Sequence, residues 1–115
     1  MIFKIVHAKE WRPDADVYNG SEKDRVDGFL HFSTAEQLIG TLTRYHAGAD
    51  DLLLVAVDAQ ALGDTLKYEP SRDGALFPHL YGPLPRAAVR WTRPIRRDEM
   101  GRFLLPDLDA HGECA

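Results

Sequence analysis

With 115 residues, of which 44% are hydrophobic and 28% charged, the chain has material for one core and too little length for two, so a single domain over residues 1–115 is expected and a disordered tail is excluded. A formal net charge of -4 excludes an extended nucleic-acid surface, which needs clustered Lys and Arg to displace counterions. The lone cysteine, Cys114, excludes an intrachain disulfide and a structural thiolate zinc site, and with no apolar run of spanning length the expectation is a cytoplasmic protein without a membrane partner.

Ile2 to His7 is short, apolar and β-branched, which predicts an opening strand inside a sheet. Lys9 to Asp27 is polar and broken by Pro13, Asn19-Gly20 and Asp27-Gly28, which predicts a loop with room for one helical turn. So long a connection usually covers or binds something, and it is a candidate ligand loop. Gly28 to Ser33 reads as a short strand running into a helix, and the Ser33 to Glu36 spacing has the form of a capping box with Ser33 as its N-cap. Ala35, Leu38, Ile39, Leu42 and Tyr45 recur at helical spacing, which predicts one buried face and a helix end near Gly48.

Asp51 to Asp58 encloses a continuous apolar run, the pattern of a central strand covered on both faces. Leu66 to Glu69 follows as a short strand and Pro70 to Gly74 as a turn. Phe77 to Pro83 is expected at an edge or as an irregular stretch, because Pro78 cannot donate to a ladder. Ala87 to Ile95 alternates as a last long strand, and Phe103-Leu104-Leu105 adds a small edge pairing. These elements define an α+β fold, a small split or strongly bent antiparallel sheet with one main helix.

The residues able to carry chemistry cluster in two motifs. His31 ends an apolar strand just before a helix start, where an imidazole can bond a ribose hydroxyl or move a proton near neutral pH; a core histidine bonded to a carbonyl is the plain alternative. Ser33 points to the same side if the strand persists, and capping alone would also account for it. His79 lies in Phe77-Pro78-His79-Leu80-Tyr81-Gly82, where Pro and Gly restrain the backbone and Phe77 and Tyr81 offer stacking faces. Glu69 is the nearest carboxylate in sequence and could stabilise positive charge at a sugar carbon. Trp11 and Tyr18 could stack on a base or anchor the long loop. His7, His31, His79 and Glu69 are suitable metal ligands, but none has the close spacing of a local metal motif, and no metal is expected. Arg86, Arg90, Arg93, Arg96 and Arg97 make the last third locally basic, either a solvated strand face or a contact for a small anion such as a nucleotide phosphate.

Gly28 to Thr34, the apolar strand around Leu53, Tyr68-Glu69 and Phe77 to Gly82 resemble, in order and spacing, the bacterial domain of unknown function 952 family. Trp11 and Tyr18 also fall where that family tends to carry a Trp and a Tyr. The family in turn resembles the ADP-ribosyltransferase superfamily, which implies a split sheet whose cleft binds NAD. The resemblance assigns His31 to ribose hydroxyls and Ser33 to the nicotinamide side through a His-x-Ser motif. His79 and Tyr81 would form the opposite wall. Phe32 departs from the glycine usual between those motif residues, and the late glutamate of a transferase has only Glu69 and Glu99 as candidates. A histidine role for His79 has a parallel in the RNA 2'-phosphotransferase branch. If catalytic, the reaction implied is substitution at the ribose anomeric carbon, with Glu69 or His79 stabilising charge. NAD then enters as substrate or ligand rather than as a tightly bound cofactor, and the assembly is a monomer or weak homodimer. A non-catalytic small-molecule-binding module and a small metal-dependent hydrolase using His31, His79 and Glu69 stand as alternatives.

Overall fold

A computed structural model describes residues 1–71 and 74–108, so Arg72 and Asp73 of the expected turn and the lone Cys114 lie outside the described residues. In chain order the elements are β1 (Ile2–His7), β2 (Val17–Tyr18), α1 (Glu22–Asp27), β3 (Leu30–His31), α2 (Leu38–Tyr45), β4 (Leu52–Val57), β5 (Leu66–Pro70), β6 (Leu76–Leu80), β7 (Leu84–Pro85), β8 (Val89–Pro94), β9 (Arg96–Arg97) and β10 (Phe103–Leu104). The architecture is α+β with antiparallel sheets, as the sequence pattern implies.

β4 occupies the centre of the first sheet, antiparallel to β1 on one side and β8 on the other. Successive side chains of a strand point to opposite faces, so a run without a polar member needs cover on both. β4 has it. Leu52, Leu54 and Ala56 pack with Phe3, Leu38, Leu42 and Ile95, while Val55 and Val57 pack with Ile2, Val6, Leu30, Phe32 and Leu80. Leu38, Leu42, Leu54, Val55 and Val57 are fully buried, each contributing roughly 2 kcal/mol of transfer free energy.

The second sheet has the order β3, β6, β5. A single antiparallel bridge joins it to the first: the Phe3 N–H donates to the Ser33 carbonyl at 2.9 Å and the Ser33 N–H to the Phe3 carbonyl at 2.8 Å. At this bridge the sheet splits. β2 pairs with β7, and β9 with β10, the small edge pairing expected around Phe103.

Four expectations require correction. The Lys9 to Asp27 stretch is not only a loop, because Ser21 and Asp24 form a reciprocal capping box that starts α1. The cap of the following helical segment is Thr34 with Gln37, one residue beyond the Ser33 and Glu36 pair, and a short 3-10 turn over Ala35–Gln37 precedes α2. Ile39 and Tyr45 are exposed, so the buried stripe of α2 narrows to Leu38 and Leu42. Finally, β6 is central rather than at an edge. Pro78 is tolerated there because β3 ends at His31, and the Pro78 carbonyl still accepts the Phe32 N–H at 3.0 Å on the side where a donor is missing.

Candidate functional site

Asp24 organises the site. Its backbone position follows from the cap: the Asp24 N–H donates to Ser21 Oγ at 3.2 Å, and the Ser21 N–H donates back to Asp24 Oδ2 at 2.9 Å. Gly28, at φ 89°, ends α1 in the left-handed region and turns the chain so that β3 passes the same carboxylate. There Asp24 Oδ1 accepts from the His31 backbone N–H at 3.1 Å and lies 2.6 Å from His31 Nδ1, while Lys4 Nζ sits 2.8 Å from Oδ2. Only 2% of Asp24 is exposed. Burial opposes its ionisation most strongly, but the His31 hydrogen bond and the Lys4 ammonium together outweigh that and hold the carboxyl well below the usual carboxylate range. Lys4 shares the inward face of β1 with Ile2 and Val6 and also donates to the His31 carbonyl at 2.9 Å. Burial lowers its pKa against the pull of Asp24.

His31 and His79 are direct cross-strand partners in β3 and β6. Their ring centroids lie 5.7 Å apart, edge to face, and Phe29 stacks on His79 at 4.0 Å while approaching His31 at 4.7 Å. The second nitrogen of His31, Nε2, lies 2.9 Å from Asp27 Oδ2, which also accepts from Lys23 at 3.2 Å. The Lys23 hydrogen bond, with the lesser influence of His31, keeps the Asp27 carboxyl below its ordinary value. His79 Nδ1 is 2.8 Å from Glu69 Oε1, and the Tyr81 hydroxyl donates to that same oxygen at 2.7 Å. The Tyr81 and His79 bonds hold the Glu69 carboxyl low, and the Tyr81 hydroxyl is raised in return. A carboxylate only accepts, so in the neutral His79 ring Nδ1 carries the proton and Nε2 its lone pair.

Of these groups Lys4, Lys23, Asp27, Phe29, His31 and His79 line a cleft of about 530 Å³. The expected residues divide as follows. His31, His79, Ser33 and Tyr18 line it. Ser33 is 3% exposed and its Oγ is bonded to Thr41 Oγ1 at 3.0 Å, so the hydroxyl neither caps a helix nor stands free. Tyr18 packs against Trp11 at 5.3 Å, and burial followed by the Asp24 charge raises its hydroxyl pKa. Trp11 packs on the core rather than lining the cleft. Glu69 and Tyr81 act on the cleft through His79 and are not part of its lining.

Among the described residues no three His, Cys, Asp or Glu side chains group as metal ligands, so His7, His31, His79 and Glu69 are not assembled into a metal centre. His7 instead faces Asp51 at 3.4 Å. None of the late arginines lines the cleft. Arg90 pairs with Asp58 at 2.6 Å, and Arg97 donates to the Ala47 and Ala49 carbonyls and lies over Phe103. Among the described residues no helix is long and apolar enough to cross a membrane.

Three functional candidates escaped the sequence reading: Lys4, Asp24 and Asp27. Signals existed for two of them. A lysine at an inward-facing position of an apolar strand demands a buried partner, and Ser21-x-x-Asp24 has the spacing of a capping box.

Fold and site together define a small α+β protein with a carboxylate-braced histidine pair at the split of an antiparallel sheet. The chain belongs to the family described as protein of unknown function (DUF952), whose sequence profile matches residues 5–92. It is similar to protein CC0527 from Caulobacter crescentus. The crystal structure of that protein has 39% sequence identity and a TM-score of 0.83, the match covering 90% of this chain and 92% of the other. The solution NMR structure of CC0527 gives 41% identity and a TM-score of 0.77 over 88% and 89% of the two chains. No curated protein matches the chain. The family description and the Caulobacter protein name no activity.

Proposed function

We propose that the chain binds a nucleotide-like small molecule, NAD foremost, in the cleft at the split of its sheets, on an ADP-ribosyltransferase-like fold. One observation carries the reading: His31 and His79, opposite each other on neighbouring strands, both line the cleft with their Nδ1 atoms committed to carboxylates. Such bracing fixes ring orientation before a ligand arrives, which lowers the ordering cost of binding. The volume falls within the range of small-molecule sites, and Phe29 adds an aromatic wall. Phe32, the bulky departure from the transferase motif, packs its ring in the core with Ile2, Val6 and Leu30.

Of the two glutamates that the transferase resemblance offers, Glu69 is spent on His79 and Tyr81 and Glu99 is exposed, and both stand outside the cleft lining, so neither supports a role in stabilising charge at an anomeric carbon.

The test is thermal unfolding with and without millimolar NAD, ADP-ribose or nicotinamide, with release of free nicotinamide assayed in parallel. A ligand at ten times its Kd stabilises the folded state by about 1.4 kcal/mol, a rise of several degrees for a domain of this size. The rise should disappear in His31→Ala and in His79→Ala while both variants still unfold cooperatively. No rise with any of the three ligands would overturn the proposal, and nicotinamide release would replace the binding reading with an enzymatic one.

A further inference from the structure

The second sheet ends on β5, and among the described residues no strand pairs with its outer edge. The ladder with β6 fixes which groups face that edge. The Tyr81 N–H donates to the Thr65 carbonyl at 2.8 Å, and bonded and unbonded pairs alternate along an antiparallel ladder. Lys67 and Glu69 therefore bond inward to His79 and Phe77, while the N–H and carbonyl of Tyr68 point away from β6. Opposite Tyr68, the Pro78 carbonyl correspondingly turns to Phe32 on the other side of β6. The Leu66 N–H is taken by the Gly63 carbonyl and Pro70 has no N–H, so the edge donor that remains is on Tyr68. Lys67 and Glu69 flank Tyr68 on one face of the strand, Lys67 exposed and Glu69 half-buried. On the other face Tyr68, 49% exposed, and Leu76, 53% exposed, extend the apolar surface of the buried Pro78 and Leu80 out to the edge.

We infer that β5 pairs with β5 of a second copy of this chain, antiparallel about a two-fold axis at Tyr68. In that register the two Tyr68 residues exchange two main-chain bonds, and each Lys67 lies across from Glu69 of the other copy. The Lys67 and Glu69 pairs are the unbonded ones of the new ladder, where opposing side chains come closest, and both are attractive. An edge lysine ordinarily guards a strand against such pairing because its charge is left unmatched; here the two-fold axis matches it on both sides. On the opposite face Tyr68 and Leu76 of the two copies join into one apolar strip. Glu69 holds His79 and Tyr81 through Oε1, so each copy sets an ammonium beside the carboxylate that braces the other's histidine. Two main-chain bonds make a small junction, and the dimer is weak, with a Kd on the order of 100 μM.

The experiment is sedimentation velocity of the full chain from about 10 μM to about 1 mM, on the parent, on Lys67→Glu, on Glu69→Lys and on an equimolar mixture of the two variants. The parent should pass from monomer to dimer across that range. Each variant alone sets like charges opposite each other at both pairs and should weaken association by on the order of tenfold or more. The mixture again sets a lysine opposite a glutamate at both pairs, so association should return close to that of the parent, a rescue that damaged folding could not produce. Tyr68→Pro removes the outward N–H, a change that an edge strand tolerates, and should abolish the dimer while the protein still unfolds cooperatively. A parent that stays monomeric at about 1 mM overturns the inference. So does a dimer that survives Tyr68→Pro, or a mixture that associates no better than its components.

Discussion

Replacing Asp24 with alanine tests the centre of the proposed site most directly. The substitution removes the partner of Lys4, which is 5% exposed and would be left with the His31 carbonyl as its remaining hydrogen-bond acceptor. It also removes the acceptor for Ser21 N–H in the capping box of α1 and the brace on His31 Nδ1. Leaving a buried charge without its partner costs roughly 3–5 kcal/mol, and loss of a cap about 1 kcal/mol. Because these losses share one side chain they do not add fully. A destabilisation of about 4 kcal/mol is expected, a large part of the roughly 5–15 kcal/mol available to a domain. In urea that corresponds to a midpoint shift of roughly 2 M at an m-value of about 2 kcal/mol/M. The double variant Asp24→Leu with Lys4→Met should recover much of the loss, since an apolar pair of similar size leaves no charge stranded. A loss below about 1 kcal/mol for Asp24→Ala, or no coupling between the two positions, would refute the view that this buried pair holds β1, α1 and β3 together.

Acid should have a related effect. The folded-state carboxyls of Asp24 and Glu69 lie below their ordinary values, so the stability they contribute is fully present above the unfolded value near 4 and is lost as pH falls through the folded values. Urea unfolding at several pH values below about 5 should show that decline, and Asp24→Asn should flatten it; an unchanged slope in the variant would assign the effect elsewhere. Gly20 has φ 99°, and a Cβ there would lie 2.8 Å from Asp24 Cβ, so Gly20→Ala should destabilise by about 1–2 kcal/mol in the same assay. A neutral result would mean that the turn before α1 can shift without cost. Nitrogen NMR of the histidine rings should find Nδ1 of His79 protonated in the neutral ring, with the preference weakened in Glu69→Gln. A protonated Nε2 in the parent protein would contradict donation from Nδ1 to Glu69.

Local patterns were a good guide wherever a single segment carried the whole signal. Leu52 to Val57 is apolar at every position, so a two-faced central strand was legible from the chain alone, as were β1 and the pairing around Phe103. The motifs at His31 and His79 were legible because a histidine stands out in an apolar, glycine- and proline-punctuated run. Ser33 misled because its spacing to Glu36 satisfies a capping box as well as Thr34 to Gln37 does, and only the isolated bridge to Phe3, by engaging the Ser33 backbone, decides between them. Pro78 misled for a similar reason. Its missing donor is harmless only because β3 stops at His31, a fact about the neighbouring strand.

The sequence by itself determined an α+β chain with a strand covered on both faces and two histidine motifs, because hydrophobic periodicity and turn chemistry act over a few residues. Only the tertiary structure decided that His31 and His79 face each other, that Lys4 and Asp24 form a buried ion pair, and that Asp27 turns toward the same cleft. Those contacts join segments far apart in the chain, such as Lys4 and the His31 carbonyl 27 residues away. Their stability comes from burial and charge pairing that exist only once the sheets close around them.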